Sequence, residues 1–281
     1  MTILESYNQF ILELGKLYDI GETRTIADWI FEDLAQLPPH NRREKGSQSI
    51  DPTVAQKIKA ALIDLLNNKP IQYILGEAWF YKMKFTINEH VLIPRPETEE
   101  LVGWIIEGLH STATIKIIDI GTGSGCIPVA LKKIHPSFSL TAIDISGDAL
   151  LVAKQNASLH HVEIDYRELD FLNETNWDTL PGFDIIISNP PYIPLTEKST
   201  LAKNVSEYEP HLALFVKNDP TLFYKKIARF ANGHLHTNGN IYVEVHEQHA
   251  SEVQEVFAEY NFTSILKKDI YERDRMIKAF R

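Results

Sequence analysis

The chain contains one cysteine, Cys126, among 281 residues. No internal disulfide is possible, and a lone thiol suits a reducing compartment. No apolar run approaches the roughly 20 residues that a membrane-spanning helix requires, so no membrane association is expected. The opening, Met1-Thr-Ile-Leu-Glu-Ser-Tyr-Asn8, lacks a basic region ahead of an apolar stretch, which argues against a secretory signal. The expected location is the cytoplasm. There the Asn-x-Ser/Thr triplets at Asn156, Asn173, Asn204 and Asn261 carry no glycans.

Basic residues are in deficit as well. With 28 Lys+Arg against 38 Asp+Glu the net charge is −10. The deficit is spread along the chain, 8 against 10 in residues 1–70 and 20 against 28 beyond them. Phosphate-backbone binding draws most of its affinity from Lys and Arg that release counterions, so stable nucleic-acid binding is not expected. Also missing are a Gly-Lys-Ser/Thr tripeptide and the third glycine of a Gly-x-Gly-x-x-Gly run, because position 126 is cysteine. The phosphate loop and the dinucleotide fingerprint are thereby excluded.

What is present is an ordinary globular composition, 44% hydrophobic and 23% charged, enough for one large domain and a small one. Residues 1–70 read as helical, with apolar residues at helical spacing over Ile3–Leu17, Thr25–Leu37 and Val54–Leu66. Asp51-Pro52 supplies a cap and a first-turn proline to the third helix. The polar stretch from Leu37 to Ser49 reads as a loop, and Arg42-Arg43 within it as a solvated pair. Trp79-Phe80-Tyr81 and Met83–Ile87 alternate like a hairpin. Beyond residue 97, strands are expected at 115–120, 139–144, 183–188 and 240–245. Helices are expected near 97–110, 125–134, 147–158, 219–232 and 248–260, and a closing antiparallel pair near 262–268 and 274–280. Such alternation predicts a mostly parallel sheet with helices on both faces.

Ile115–Ile120 is an apolar strand followed at once by Gly121-Thr-Gly-Ser-Gly125 and an apolar helix. Ligands of open parallel sheets bind at the carboxyl ends of the strands, where glycine lets the backbone approach them. Asp144 ends the next strand, suited to accept from two vicinal ribose hydroxyls. A nucleoside cofactor is implied, against the plainer reading of a glycine turn that serves only packing. Asn189-Pro190-Pro191-Tyr192 follows the strand Phe183–Ser188. The prolines cannot donate and stiffen the backbone, leaving the Asn189 side chain and the Pro190 carbonyl as acceptors for the two N–H bonds of an amide or amine. Asn189 could equally act as a donor that holds the cofactor. Tyr192 offers a face to a planar group.

Gly-x-Gly-x-Gly resembles motif I of the Rossmann-like methyltransferases, and Asn-Pro-Pro-Tyr is shared by adenine methyltransferases and by enzymes that methylate a glutamine of release factors. Three further segments resemble the latter: Ile71-Gln-Tyr-Ile-Leu-Gly-Glu77 with Phe80, Leu92-Ile-Pro-Arg-Pro-Glu-Thr-Glu99, and Tyr208-Glu209-Pro210 with Ala213-Leu214. The chain thus resembles the PrmC/HemK release-factor glutamine methyltransferase family along its whole length.

The resemblance implies an α/β fold: a seven-stranded Rossmann-like methyltransferase sheet, a small all-α N-terminal domain and a β-hairpin linker. Its domains would be 1–70 for substrate docking, 71–96 as linker and 97–281 for catalysis. It implies S-adenosylmethionine as cofactor, S-adenosylhomocysteine as product, no metal, and peptide chain release factors as partner. A monomer is expected, since no long apolar helix stripe is left without a home. Gly121, Thr122, Gly123, Ser124, Gly125 and Asp144 would bind the cofactor, with Asp170 and Phe171 at its adenine. Asn189 would touch cofactor and substrate, with catalysis assigned to Asn189, Pro190 and Tyr192. Pro190, Pro191 and Tyr192 would line the glutamine pocket, and Glu97, Glu99 and Glu209 its mouth or walls. His246 departs from the family pattern, where glycine is common.

The alternative is a methyltransferase acting on adenine or another exocyclic amine of DNA or RNA. It would need a basic surface and, on duplexes, base extrusion. A catalytically silent binding module is the other alternative, but it would be expected to have lost one of the two motifs. His246-Glu-Gln-His249 is not a zinc-protease helix, since position 250 is alanine. Cys126 reads as a packing residue.

Overall fold

A computed structural model gives the structure of residues 1–109, 114–217 and 219–281. It divides into two compact units, Met1–Gly76 with Lys203–Tyr208, and Glu77–Ala202 with Glu209–Arg281. Among the described residues no helix is long and apolar enough to cross a membrane.

The first unit is helical: α1 (Ile3–Leu14), α2 (Ile20–Ala35), α3 (Pro39–Lys45), α4 (Pro52–Leu66) and α5 (Ile71–Leu75). Thr2 and Glu5 form a reciprocal capping box on α1. Asp51 accepts from the N–H groups of Thr53 and Val54, as the Asp-Pro start of α4 predicts. Helix α2 begins five residues before the expected Thr25, because Asp19 accepts from Gly21 and Glu22 and so makes Gly21 part of the first turn. The core gathers Phe10, Leu14, Ile30, Phe31, Ile58 and Leu65.

The expected 37–49 loop contains α3, and Arg42 is not solvated. It is 6% exposed, donates to the Leu37 carbonyl at 2.8 Å, pairs with Asp28 and lies 4.3 Å over the Tyr7 ring. A planar guanidinium satisfies such a site with its fork of donors and its face. The Lys203–Tyr208 segment belongs to this unit, and the Tyr208 hydroxyl donates to the Asn67 carbonyl at 2.7 Å.

The second unit opens with the hairpin β1 (Glu77–Phe80) and β2 (Met83–Thr86), antiparallel as expected. There follow α6 (Pro96–Glu107), β3 (Lys116–Ile120), α7 (Cys126–Ile134), β4 (Ser139–Asp144), α8 (Gly147–Leu159), β5 (Asp165–Glu168) and β6 (Phe183–Ser188). The chain continues through β7 (Ile193–Pro194), α9 (Lys203–Ser206), α10 (His211–Leu214), β8 (Phe215–Val216) and α11 (Leu222–His234). It closes with β9 (Leu235–Glu244), α12 (Ala250–Glu259), β10 (Thr263–Lys268) and β11 (Asp274–Phe280). Position 110, the expected end of the helix that is α6, lies outside the described residues.

Among the described residues, seven strands form the main sheet in the order β10-β11-β9-β6-β3-β4-β5. The five from β9 to β5 run parallel, and β11 is antiparallel to both of its neighbours. Alternate residues enter opposite cores, as the two-residue strand period requires. Ile117, Ile185 and Ile187 pack with α6 and α7, while Ile118, Ile120 and Ile186 pack with α11 and α12. Burial on both faces explains the near-continuous apolar runs of β3 and β6. The strand order reverses beside β3: the chain runs outward through β4 and β5, then returns to place β6 on the other side. That switch point opens a crevice at the strand ends.

Candidate active site

The register of the sheet brings the two sequence motifs together. Ile120 pairs with Ile143 and with Ser188, and Ser188 with Val243. The next residue on each strand is therefore Gly121, Asp144, Asn189 and Glu244, four neighbours in one row. The Ser188 hydroxyl donates to the Ile120 carbonyl at 2.7 Å, locking the ends of β6 and β3.

Gly121, Gly123 and Gly125 have φ of 75°, 54° and 75°, which glycine adopts without steric cost. Gly125 has no room for a side chain, because a Cβ there would stand 3.0 Å from both Ala153 Cβ and Tyr166 Oη. Around Gly121 and Gly123 nothing lies within 4 Å of that position, so a ligand can approach the backbone. Asp144 accepts from the Gly123 N–H at 2.9 Å through Oδ2 and from the Ser146 N–H at 2.9 Å through Oδ1. A carboxylate has about four acceptor positions, which leaves two for vicinal hydroxyls. Burial raises the Asp144 carboxyl above its ordinary value, and the N–H groups of Ser146 and Gly123 oppose the rise.

These groups line a cleft of about 270 Å³, near the lower end for small-molecule sites. Gly121, Thr122, Gly123, Ser124, Asp144, Asp170, Phe171, Asn189 and Pro191 all face it, as do Arg95 and Thr98. Asp170 is fixed by the Leu172 N–H at 3.0 Å. Phe171 also packs against Trp177 and Phe230, with ring centroids 5.4 and 5.5 Å away. The donor set fits a nucleoside cofactor.

The tetrapeptide Asn189–Tyr192 is held from behind. Asn189 Nδ2 donates to Thr98 Oγ1 at 3.1 Å, Thr98 Oγ1 donates to Glu244 Oε2 at 2.7 Å, and Tyr192 Oη donates to Glu244 Oε1 at 3.1 Å. Tyr192 meets the His246 ring edge-on at 5.9 Å. Pro190 is buried; it and Gly125, Tyr192, Glu97, Glu99 and Glu209 do not line the cleft. Glu97 and Glu99 occupy the first turn of α6, where negative charge complements the helix dipole.

Glu209, expected at the mouth or walls, is 3% exposed. It pairs with Arg95 and accepts from the Ile93 N–H at 3.3 Å. It thus clamps the Pro-Arg-Pro-Glu-Thr-Glu segment rather than facing a ligand. A buried carboxylate stripped of its cation is costly, whereas removing both partners is close to neutral. Arg95 is 32% exposed, so solvent screens part of the loss. Arg95→Met is expected to lower unfolding free energy by about 2 kcal/mol. Adding Glu209→Met should recover most of it, as urea denaturation of the single and double variants will read.

Sequence reasoning passed over Thr98, Glu244 and Asp119. Thr98 stood inside a quoted motif, and Glu244 is a lone charge ending an apolar strand, so both carried a signal. Asp119 is fully buried beneath the glycine loop, and neither carboxylate oxygen has a hydrogen-bond partner among the described residues. Burial pushes it up to about 7, although the adjacent Thr122 hydroxyl lowers it; the Asp144 charge raises it. A folded-state value above the ordinary 3.8 means the native protein holds the proton more tightly. That stabilisation is complete at low pH and is lost as pH rises toward about 7. Asp119→Asn has no such titration. Its melting temperature relative to the unmodified protein is expected to rise between about pH 5 and pH 8; a constant difference would contradict this. Cys126 is buried with its thiol pushed up to about 12 by burial, a packing residue rather than a nucleophile.

A glycine turn, a strand-end acid and an Asn-Pro-Pro-Tyr loop at the switch point of this sheet define a methyltransferase. The methyltransferase small domain matches residues 103–207, and the PrmC N-terminal domain residues 5–76. The release factor glutamine methyltransferase of Flavobacterium psychrophilum is 44% identical over 99% of both chains. That of Lactococcus lactis is 43% identical over 76% of this chain and 78% of its own. A methyltransferase crystal structure from Pyrococcus furiosus shares the fold at a TM-score of 0.51 and 14% identity, covering 79% of this chain and 96% of its own. The chain belongs to the release factor glutamine methyltransferase family.

Proposed function

We propose that this enzyme methylates the side-chain amide nitrogen of the glutamine in the Gly-Gly-Gln motif of peptide chain release factors. The observation that carries the proposal is the row Gly121, Asp144, Asn189 along one cleft. It supports the reading because a loop rich in acceptors stands beside a glycine turn and a strand-end acid. Bound S-adenosylmethionine would supply an electrophilic methyl group: the sulfur–methyl bond breaks with its pair kept on sulfur, giving S-adenosylhomocysteine, and the amide nitrogen that gains the methyl gives up one proton to solvent. The glycine loop, Thr122 and Ser124 would meet it through their backbone. Asp144 accepts from the ribose, and Asp170 and Phe171 border the adenine.

An amide nitrogen is a weak nucleophile because its lone pair is delocalised into the carbonyl. Asn189 Oδ1 and the Pro190 carbonyl accept from its two N–H bonds, favouring a pyramidal nitrogen and aiming the lone pair at the methyl carbon. Pro191 and Tyr192 keep that loop rigid, so orientation supplies much of the acceleration. In this scheme residues 1–70 dock the release factor, residues 71–96 link, and residues 97–281 carry the chemistry. The enzyme works as a cytoplasmic monomer.

The test is transfer from methyl-labelled S-adenosylmethionine to purified release factor, to its Gln→Ala loop variant and to an adenine-containing oligonucleotide. Label is expected on the intact release factor alone. Label on the oligonucleotide instead would establish the adenine reading.

A further inference from the structure

We infer that Glu244 and Thr98 form a proton-ordered relay that fixes which way the Asn189 amide faces, making both positioning residues for the transfer proposed above, on which the inference rests. The order follows from counting protons. Thr98 Oγ1 and Glu244 Oε2 are 2.7 Å apart, a separation at which two oxygens must share a proton. An ionised carboxylate has none to give, so Thr98 donates. A hydroxyl has only one proton, so toward Asn189, 3.1 Å away, Thr98 acts as an acceptor. Asn189 must then present its NH2 to Thr98, which leaves Oδ1 for the cleft that Asn189 lines. The flipped amide would set two oxygens face to face with no proton between them.

The sequence alone left Asn189 free to serve as donor or acceptor, and this chain of bonds selects the acceptor. The same carboxylate takes the Tyr192 hydroxyl on its other oxygen, so Glu244 holds both ends of the tetrapeptide. Burial raises the Glu244 carboxyl above its ordinary value, and the Thr98 hydroxyl, the Arg275 charge and the Tyr192 hydroxyl oppose the rise. Arg275 lies close enough for its charge to act on Glu244, and is itself held by Asp269 at 3.3 Å and the Val245 carbonyl at 3.2 Å. The Tyr224 hydroxyl fixes the strand end by donating to the Glu244 main-chain carbonyl at 2.9 Å. Thr98 and Glu244 are 3% and 2% exposed, so water does not substitute for either partner. A neutral Glu244 would carry its own proton and force one of the two hydroxyls to turn.

The experiment compares Thr98→Val, which keeps the shape and removes the hydroxyl, with Thr98→Ser, which keeps the hydroxyl. Thr98→Val is expected to lower kcat for release-factor methylation about 10- to 100-fold, with cofactor Kd from calorimetry unchanged. Thr98→Ser should stay within about threefold of the unmodified enzyme, and Glu244→Gln, which can supply a proton where none stood, should resemble Thr98→Val. Equal kcat in the Val and Ser variants would overturn the relay, as would a Thr98→Val deficit confined to cofactor affinity.

The orientation is also read without any substrate. In protein labelled with 15N at asparagine, the Asn189 side-chain NH2, assigned by its loss in Asn189→Ala, should show nuclear Overhauser contacts to Thr98 side-chain protons. Their absence overturns the relay. Their presence in an enzyme that fails to methylate release factor would remove the proposed function and leave the relay standing.

Discussion

Asn189→Ala is expected to lower kcat for methyl transfer about 10²–10³-fold, equivalent to about 3–4 kcal/mol, with a much smaller change in cofactor Kd. The residue stands at the carboxyl end of β6 beside Gly121, locked there by the Ser188 hydroxyl on the Ile120 carbonyl. In the proposed scheme its side chain supplies one of two acceptors for the N–H bonds of the reacting amide, so its loss leaves the Pro190 carbonyl alone. An amide held by one bond rotates about it, and its lone pair is no longer aimed. The missing interaction strengthens as the nitrogen becomes pyramidal and acidic, so the deficit belongs in kcat rather than in KM. Single-turnover rates with saturating release factor and cofactor measure it directly. A variant retaining a tenth or more of the activity would mean that the Pro190 carbonyl and the shape of the cleft suffice.

Asp144→Ala is expected to weaken cofactor binding about 10²–10³-fold, or about 3–4 kcal/mol, the scale of two charge-assisted hydrogen bonds. The carboxylate has a second task, since its Oδ2 holds the Gly123 N–H and thereby the shape of the glycine turn. Asp144→Asn should fall almost as far, because an amide facing both Gly123 and Ser146 presents a donor to a donor. The pH dependence has a definite sign. In the proposed scheme the charged form accepts from the ribose, and burial raises the Asp144 carboxyl above the ordinary aspartate value of 3.8. Affinity should therefore fall on acidification, beginning at a higher pH than for a solvated aspartate. Asp144→Asn should show no such titration in calorimetry between about pH 4 and pH 8. A pH-independent Kd in the unmodified enzyme would mean that Asp144 is not the ribose acceptor.

The strands that bear the site were legible because each is an apolar run ending in a polar signal. Ile115–Ile120 ends at glycine, Leu140–Ile143 at Asp144, and Phe183–Ser188 at Asn-Pro-Pro-Tyr. Strand β5 was not, since Asp165-Tyr-Arg-Glu168 is a polar edge strand with no buried residue. The first half of β9 was hidden by Asn238, at φ 63°, and Gly239, which together read as a turn. Helix α3 was hidden among polar residues, and Arg42 is buried only because Tyr7, Asp28 and Leu37 converge on it from other parts of the helical unit.

The glycine turn and the strand-end acid that line the cleft were legible for the same reason: both announce themselves locally. The support of the catalytic loop was not. Asn189 meets Thr98 across 91 positions and Thr98 meets Glu244 across 146. Contacts at such separations exist only once the sheet has aligned its strand ends. Glu209, expected at the mouth or walls of the pocket, lies behind Arg95 across 114 positions, another separation that no local pattern announces.

In the proposed reaction the Asn189–Tyr192 loop directs the methyl group to one particular amide nitrogen. Tandem mass spectrometry of release factor, after incubation with the enzyme and S-adenosylmethionine, tests it most directly. The expected result is a single methyl group on the glutamine side chain of the Gly-Gly-Gln motif, absent when Asn189→Ala replaces the enzyme. A methyl group on any other residue, or an unmodified glutamine beside a methylated adenine oligonucleotide, would contradict it.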